Sequence, residues 1–325
     1  MENYLADRIK NIEKSEIRKI FDKAPVDSIN LGLGEIQFPT PKILTDYAQE
    51  ILEEGDINYT STAGLRELRE AISGYYNKSI PDNVCVTVGA EEAIFATSFS
   101  FINPGDEILI ANPTFLAYKT IIQIVGGIPV YFDLDPENNF ELKKDSFIQK
   151  ISSKTKMVIL NNPSNPLGIC YKSDEINFII KTCIENDILI VVDEVYRDLF
   201  LEKKQDTFLN LKGKIIVISG LSKSLCMTGW RIGWAISNHP ELIKPITVVH
   251  QYICTCAPYI SQRVAIKALS KEGLKAQEDI RITLKLNHNL LTKFIKEKFP
   301  DSKFLSNTSS PYLFINFGIN DVVLS

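Results

Sequence analysis

The feature that most constrains the fold of this chain is a series of short runs rich in Val, Ile and Leu. Several runs are apolar at nearly every position, which is typical of strands buried on both faces of a sheet. Amphipathic stretches between many of them are predicted to form the helices that cover those faces. The pattern predicts a doubly wound α/β fold with a mostly parallel sheet. The predicted strands are 84–88, 107–111, 128–132, 156–160, 188–192, 214–219 and 232–236, and the predicted helices are 90–101, 116–125 and 173–186.

The two ends of the chain show a different pattern, which predicts a second, smaller α+β domain. Residues 241–300 have mainly helical spacing, and a strand candidate follows at 312–317. The N-terminal residues, up to a Pro-Thr-Pro break, are expected to join the same domain. The predicted divisions are 1–45 for the N-terminal segment of the small domain, 46–245 for the large domain, and 246–325 for the rest of the small domain, which is expected to be incomplete at its C-terminal end.

The overall charge is nearly balanced, with 36 basic and 40 acidic residues and a formal net charge of -4. Such a chain has no field that would attract nucleic acid or an anionic membrane, and it contains no long uncharged apolar run. Its first residues alternate charges with apolar side chains, unlike a secretory signal or a transit peptide. We therefore expect a cytoplasmic protein that binds neither nucleic acid nor membrane.

The six cysteines and three histidines are scattered along the chain without a CxxC pair. This spacing predicts neither a zinc site nor a disulfide framework, so no bound metal is expected. Cys254 and Cys256 are the only close pair of cysteines, and strand alternation would place both on one face as packing residues. His239, His250 and His288 are likewise expected to be packing or surface residues.

The loop between the last two predicted strands, SGLSKSLCMTGWRIG, carries Lys223 and Arg231. These two residues limit the possible reaction chemistry more than any other part of the chain. The loop leaves little room for a helix, so one of the two strands is expected to be antiparallel or to join the sheet differently. Lys223 follows an apolar run, where partial desolvation makes an ammonium easier to deprotonate and frees a nucleophilic amine, although alone it reads more simply as a solvated surface residue. Arg231 offers a permanent forked charge suited to phosphate. The pair suggests a phosphorylated aldehyde cofactor.

Three further segments follow predicted strands, where open α/β sheets bind their ligands. Residues 89–91 open a helix whose first amides suit an anion, although they also fit a simple strand-to-helix turn. Asn165 lies in NNPSNPLG, which alone is a proline turn. Asp193 precedes Tyr196 at the end of an apolar strand, where a carboxylate needs a cation, either a ligand or the nearby Arg197. Together with the lysine and arginine, these groups fit pyridoxal 5'-phosphate, because a carboxylate keeps the pyridine nitrogen protonated while an amide and a phenol hold the ring oxygen.

Seven motifs, in order between residues 31 and 233, resemble the fold type I pyridoxal-phosphate enzymes, and within them the class I/II aminotransferases of the aspartate aminotransferase superfamily. The resemblance implies an enzyme that transfers an amino group between an amino acid and a 2-oxo acid through a Lys223 aldimine. The motifs are LGLGEIQFPTP, INYTSTAGLRELREAI, VTVGAEEA, NPTF, NNPSNPLG, VDEVY and SGLSKSLCMTGWRIG.

The resemblance also implies a role for each matching residue. Lys223 would form the internal aldimine and move the proton during transfer. Asp193 would pair with the pyridine nitrogen, and Asn165 and Tyr196 with the ring oxygen. Phe115 would stack on the face of the ring. The phosphate would be held by Ser222, Arg231 and the helix start at Gly89, Ala90 and Glu91.

A homodimer is implied as well, in which Tyr59 contributes to the phosphate site of the neighbouring subunit. Gly34 matches a glycine whose backbone lies near the substrate carboxylate. In relatives an arginine beyond the strand that resembles YLFINF binds that carboxylate, and no residue of 1–325 is assigned this role. Two alternatives stay open: a lyase or synthase of the same fold, such as a carbon-sulfur lyase or an aminocyclopropane-carboxylate-type synthase, and a non-catalytic cofactor-binding protein. The motifs do not name the amino donor or acceptor.

Overall fold

A computed structural model describes residues 4–10, 12, 16–25, 27–29, 31–32, 34–305 and 309–318. The two end segments that the sequence assigns to a small domain are therefore described only in part. The helices are α1 (Asp7–Lys10), α2 (Glu16–Lys23), α3 (Lys42–Glu54), α4 (Arg66–Tyr75), α5 (Ala90–Phe101), α6 (Leu116–Ile124), α7 (Lys144–Gln149), α8 (Ser173–Glu185), α9 (Pro240–Cys254), α10 (Tyr259–Ala268) and α11 (Lys271–Lys298). Within these described ranges, none of the helices is both long and apolar enough to cross a lipid bilayer.

Eight strands form one sheet in the order β1-β8-β7-β6-β5-β2-β3-β4. Five of them, β7, β6, β5, β2 and β3, run parallel to one another. β8 is antiparallel to both β7 and β1. One of the two strands that flank the lysine loop is therefore antiparallel, which was one of the two expectations from the sequence, and it is the second. The doubly wound, mostly parallel sheet is thereby confirmed. The strands are β1 (Val84–Thr87), β2 (Glu107–Asn112), β3 (Ile128–Asp135), β4 (Glu141–Leu142), β5 (Thr155–Asn161), β6 (Leu189–Asp193), β7 (Ile215–Gly220), β8 (Gly233–Ile236), β9 (Lys303–Phe304) and β10 (Ile315–Asn316).

Both faces of the sheet are covered, and β6 shows why its sequence is apolar throughout. Every residue of β6 is buried, and successive side chains alternate between two cores. Ile190 and Val192 belong to the core that also contains Trp234, whereas Val191 lies in the other core with Tyr118. Each fully buried Val or Ile stabilises the fold by about 1.5–3 kcal/mol relative to an exposed one. The strand is therefore fixed at the centre of the sheet, with its polar end at one edge.

The strand predicted at 312–317 is much shorter in the structure. Only Ile315–Asn316 pairs, antiparallel to Lys303–Phe304. Pro311 has no N–H to donate to a ladder, and Tyr312 directs its hydroxyl into a hydrogen-bonded cluster at the edge of the large sheet. The mostly apolar sequence of 312–317 therefore overstated the strand length.

The prediction that Cys254 and Cys256 lie on a strand was wrong. The helical spacing that begins at Leu242 continues through α9 to Cys254, one turn after His250. Thr255 follows the last helical residue, and its φ of 69° and ψ of -56° form a tight turn. In that turn the N–H of Cys256 donates to the C=O of Cys254 at 2.8 Å. A helical period, not alternation, therefore decides what Cys254 faces.

Candidate active site

The sheet topology brings the predicted site residues to one edge. Asp193 ends β6, Asn165 follows β5, and Lys223 follows β7, at the carboxyl ends of neighbouring parallel strands. β1 runs parallel to β7, since both are antiparallel to β8, so Gly89 lies at the same edge. Arg231 precedes β8, which starts there because it runs the other way. This edge is where open α/β sheets bind their ligands.

Lys223 lies partly buried against Gly34. Its Nζ donates a hydrogen bond to the C=O of Gly34 at 3.2 Å. Burial lowers the pKa of Lys223 from its usual value, against the opposing charges of Glu35 and Asp193. Gly34 has a φ of +61°, and a Cβ at this position would lie 2.1 Å from Tyr312 Oη, so only glycine fits. The amine is thus held in a confined place and loses its proton more readily than a surface lysine.

Asn165, Tyr196 and Tyr312 form a polar cluster next to this amine. Asn165 Nδ2 donates to Tyr312 Oη at 3.0 Å and to Tyr196 Oη at 3.4 Å, and the two phenol oxygens are 2.7 Å apart. The two rings meet edge to face with centroids 5.2 Å apart. Burial raises the pKa of both phenols, which therefore stay protonated at neutral pH. The cluster can donate hydrogen bonds to an anionic oxygen.

Asp193 is a buried carboxylate with two donors. Tyr118 Oη donates to its Oδ2 at 2.8 Å, and the N–H of Val195 donates to its Oδ1 at 3.1 Å. Burial raises the pKa of Asp193 to about 6, although these hydrogen bonds and the charge of Lys223 act in the opposite direction. The carboxylate is therefore ionised at neutral pH in a place where an ion lacks water, and a cationic ligand group would stabilise it.

Arg197 pairs with Glu194, so the local ion pair considered for Asp193 does not form. Arg197 Nη1 lies 3.1 Å from Glu194 Oε2, and Thr207 Oγ1 donates to Glu194 Oε1 at 3.0 Å. The guanidinium also packs on the Tyr76 ring, 4.6 Å from its centroid. Within the described ranges no arginine pairs with Asp193. Two adjacent acids thus have different environments, one with a buried arginine and one facing the candidate site.

A cradle with the character of an anion site lies between α5 and Arg231. Gly89 is the N-cap of α5, and no side chain caps the first amides of the helix, which have no intrahelical acceptors. Arg231 Nη2 lies 3.4 Å from the C=O of Val88, and a Cβ at Gly89 would lie 2.6 Å from the same Nη2. A Cβ at Gly233 would lie 2.5 Å from the amide nitrogen of Ala90. Glycines therefore keep the backbone open to an anion such as phosphate.

The remaining predicted residues, which are Phe115, Ser222, Glu91 and Tyr59, differ in their position relative to these groups. Phe115 meets Tyr118 edge to face with ring centroids 5.4 Å apart, next to the carboxylate that Tyr118 binds. Ser222 is partly buried beside the lysine, while Glu91 is exposed, so its backbone amide is the group available to the cradle. Tyr59 is 86% exposed in the single chain, and among the described residues no hydrogen bond joins it to the cluster.

Sequence reasoning missed three side chains that organise the site. Tyr118 holds the Asp193 carboxylate, and the available signal was a tyrosine at helical spacing from Ile121 and Ile122 on the buried face of α6, where its hydroxyl needs a partner. Tyr312 was assigned to a strand. Asn161 joins two loops, because its Nδ2 donates to the C=O of Asp193 at 3.0 Å and its Oδ1 accepts from the N–H of Asn165 at 2.6 Å. Asn161 follows an apolar run directly, which marks it as a strand-end polar residue.

The groups at this edge of the doubly wound sheet fit a phosphorylated pyridine aldehyde. They are a confined amine, a buried carboxylate, donors for an anionic oxygen and a cradle for an anion. The family model for aminotransferase class I and II matches residues 26–318. The chain belongs to this family. It is a pyridoxal-phosphate-dependent enzyme that transfers an amino group between an amino acid and a 2-oxo acid, as the sequence predicted.

Individual relatives agree on the reaction and differ in substrate. The chain is 36% identical over 314 residues to a probable aspartate aminotransferase of Methanocaldococcus jannaschii, covering 92% of this chain and 83% of the relative. It is also 36% identical over 308 residues to a (5-formylfuran-3-yl)methyl phosphate transaminase of the same organism, covering 90% and 80%. The solved structure of Thermus thermophilus aspartate aminotransferase with maleate matches with a TM-score of 0.90 at 26% identity, covering 96% of this chain and 84% of that one.

Proposed function

We propose that Lys223 is the residue that binds the cofactor aldehyde and then moves the proton of the substrate Cα. The observation that supports this most is the position of its Nζ, 3.2 Å from the C=O of Gly34 at the edge where Asp193 ends its strand. Bound pyridoxal phosphate supplies an aldehyde that captures amines and a ring that withdraws electrons. Burial lowers the pKa of Lys223, so its Nζ is more readily neutral, which is the form that attacks a carbonyl and accepts a proton.

Asp193 is proposed to hold the protonated pyridine nitrogen, with Tyr118 fixing the orientation of the carboxylate. An ion pair at about 4 Å and an effective dielectric of ~20 is worth roughly 4 kcal/mol gross. Asn165 and Tyr196 would donate to the ring oxygen, since they already share a hydrogen-bonded cluster. Tyr312, the third member of that cluster, would complete this wall of the site.

The phosphate is proposed to lie in the cradle of Gly89 and the first amides of α5, at Ala90 and Glu91, with Arg231 supplying the positive charge. A helix N-terminus and a guanidinium both favour a dianion. Ser222 would add a hydroxyl and Phe115 a ring face. Gly34 is assigned to the substrate carboxylate, because its backbone lies against Lys223.

The proposed large domain, residues 46–245, contributes the lysine, the carboxylate and the cradle. Gly34 and Tyr312 come from the two segments proposed to form the small domain, 1–45 and 246–325, and both contact groups of the large domain. A cytoplasmic location is part of the proposal. It is supported by the six cysteines, which are all unpaired, as expected in a reducing compartment.

An amino donor added without an acceptor tests the reaction. The bound cofactor is expected to change stoichiometrically to its amine form, with loss of its visible absorbance, and a 2-oxo acid should restore the original spectrum. Because relatives of equal identity differ in substrate, L-aspartate, aromatic amino acids and L-alanine are compared as donors. Continuous release of ammonia or a thiol with pyruvate, with no stoichiometric spectral change, would identify a lyase instead.

A homodimer is proposed in which Tyr59 binds the phosphate of the neighbouring subunit. In the single chain Tyr59 is 86% exposed and Tyr252 is 83% exposed. These rings leave a large aromatic surface for a partner to cover. Tyr59→Phe removes one hydroxyl and is expected to weaken cofactor binding by about tenfold, the cost of one hydrogen bond to a charged group. Cofactor release on dilution measures this, with sedimentation velocity reporting the assembly. A fully active monomer at assay concentration would contradict the shared site.

A further inference from the structure

A cluster of three potential metal ligands lies where the first turn of α5 packs against α9. Glu92 is on α5, and His250 and Cys254 are four residues apart on one face of α9. The three residues are distant in sequence and share no zinc spacing, so only the packing of α5 on α9 brings them together. Among the described residues, their ligand atoms all lie within 4.8 Å of one another.

The separations of these atoms suit a tetrahedral ion. Cys254 Sγ lies 3.5 Å from His250 Nδ1 and 3.8 Å from Glu92 Oε1. Zinc bonds of about 2.0 Å to N and O and about 2.3 Å to S place tetrahedral ligand atoms roughly 3.3–3.6 Å apart. Glu92 Oε1 and His250 Nδ1 are 2.6 Å apart, a hydrogen-bond distance, and would separate by about 0.7 Å on binding an ion. Small side-chain rotations therefore suffice.

The surroundings favour a site of this kind over a simple buried ion pair. His250 is fully buried, whereas Glu92 and Cys254 are partly exposed and give an ion access from one side. Glu92 Oε2 accepts a hydrogen bond from the N–H of Val88, which orients the carboxylate while Oε1 faces the histidine and the thiol. Ligating carboxylates are commonly fixed by such an outer hydrogen bond.

We propose that Glu92, His250 and Cys254 form a binding site for a thiophilic divalent cation such as Zn²⁺, with a fourth position open to water. Nitrogen, oxygen and sulfur ligands in one set select zinc and its analogues over Mg²⁺ or Ca²⁺, which bind through oxygen. The site is separate from the lysine and the ring-binding residues. It shares the first turn of α5 with the proposed phosphate cradle, because Gly89 is the N-cap of the helix and Glu92 is its third residue.

Cobalt titration of the tag-free holoenzyme, freed of metal by chelator and dialysis, tests the site. Tetrahedral Co²⁺ complexes absorb in the visible at longer wavelengths than the bound cofactor, so the signal is separable. We expect a saturable band at one Co²⁺ per chain, which Zn²⁺ displaces and Mg²⁺ does not. Absence of a tetrahedral band, or a stoichiometry other than one, overturns the proposal.

Two variants and a matched control locate the ion. Cys254→Ser keeps the shape of the side chain but loses the soft ligand, and it is expected to weaken Co²⁺ binding at least about tenfold. Glu92→Gln should weaken it similarly while keeping an acceptor for Val88. Cys256→Ser changes the neighbouring thiol outside the cluster and should leave the titration unchanged. Circular dichroism checks that each variant folds, and an unchanged titration in folded Cys254→Ser overturns the assignment.

Discussion

Replacement of Lys223 by alanine is expected to lower amino transfer by roughly 10⁴-fold or more, because one change removes both the proposed nucleophile and the proposed proton carrier. The cradle at Gly89 and Arg231 stays intact, so the cofactor should still bind without a covalent link. Borohydride reduction followed by intact-mass measurement separates the two effects. The wild type should gain the mass of the reduced cofactor, and the variant should not.

Lys214→Ala is the matched control for this prediction. Lys214 stands just before the same strand that Lys223 follows, but it is exposed and forms a surface ion pair with Asp187 at 2.6 Å. Such pairs are worth about 0–1 kcal/mol, so activity and covalent trapping should stay close to the wild type. Covalent trapping in Lys223→Ala at any other lysine would assign the role elsewhere.

The sequence predicted the central sheet well because burial on both faces leaves few alternatives. The helix predicted at 90–101 coincides with α5, and the strand predicted at 188–192 differs from β6 by one residue at each end. Errors occur where one side of an element is polar. The strand predicted at 128–132 extends to Asp135, because β3 lies near the sheet edge and its outward side chains need not be apolar.

The site shows where sequence reasoning stops. Asp193 and Glu194 are adjacent acids, and only the end of β6 decides that one faces the candidate site while the other turns to Arg197. Tyr312 reaches Asn165 from 147 positions away, and Glu92 reaches His250 from 158. Such contacts depend on how helices and loops pack, which neither periodicity nor motif spacing encodes. Motifs therefore identified residues along the strand ends but missed the side chains that orient them.

Replacement of Asp193 by asparagine is expected to have two effects. It should stabilise the cofactor-free protein, and it should remove most of the activity of the cofactor-loaded enzyme. Loss of the proposed ion pair with the cofactor ring, worth about 4 kcal/mol, should lower turnover by roughly 10³-fold. The pKa of Asp193 is raised from 3.8 to about 6 by burial, so the ionised carboxylate destabilises the fold at neutral pH. Asparagine keeps the hydrogen bond to Tyr118 without the charge, and we expect a gain of about 3 kcal/mol in the free energy of unfolding. Thermal unfolding of both apoproteins measures it.

The pH dependence of the free energy of unfolding tests whether the carboxylate charge causes this difference in stability. A folded-state pKa above the unfolded value means that the folded chain binds more protons between about pH 4 and 6, so wild-type stability falls as pH rises through that window. The advantage of Asp193→Asn should therefore be full at about pH 7.5 and smaller at about pH 5. Glu194→Gln is the contrasting control: although burial also raises the pKa of Glu194, this carboxylate pairs with Arg197 at 3.1 Å. Its removal leaves the buried guanidinium only a 3.9 Å contact with Asp198, so the variant should destabilise the fold by about 3 kcal/mol. If the asparagine variant were less stable than the wild type at both pH values, the prediction would be wrong. The Asp193 carboxylate would then stabilise the fold without a cationic ligand.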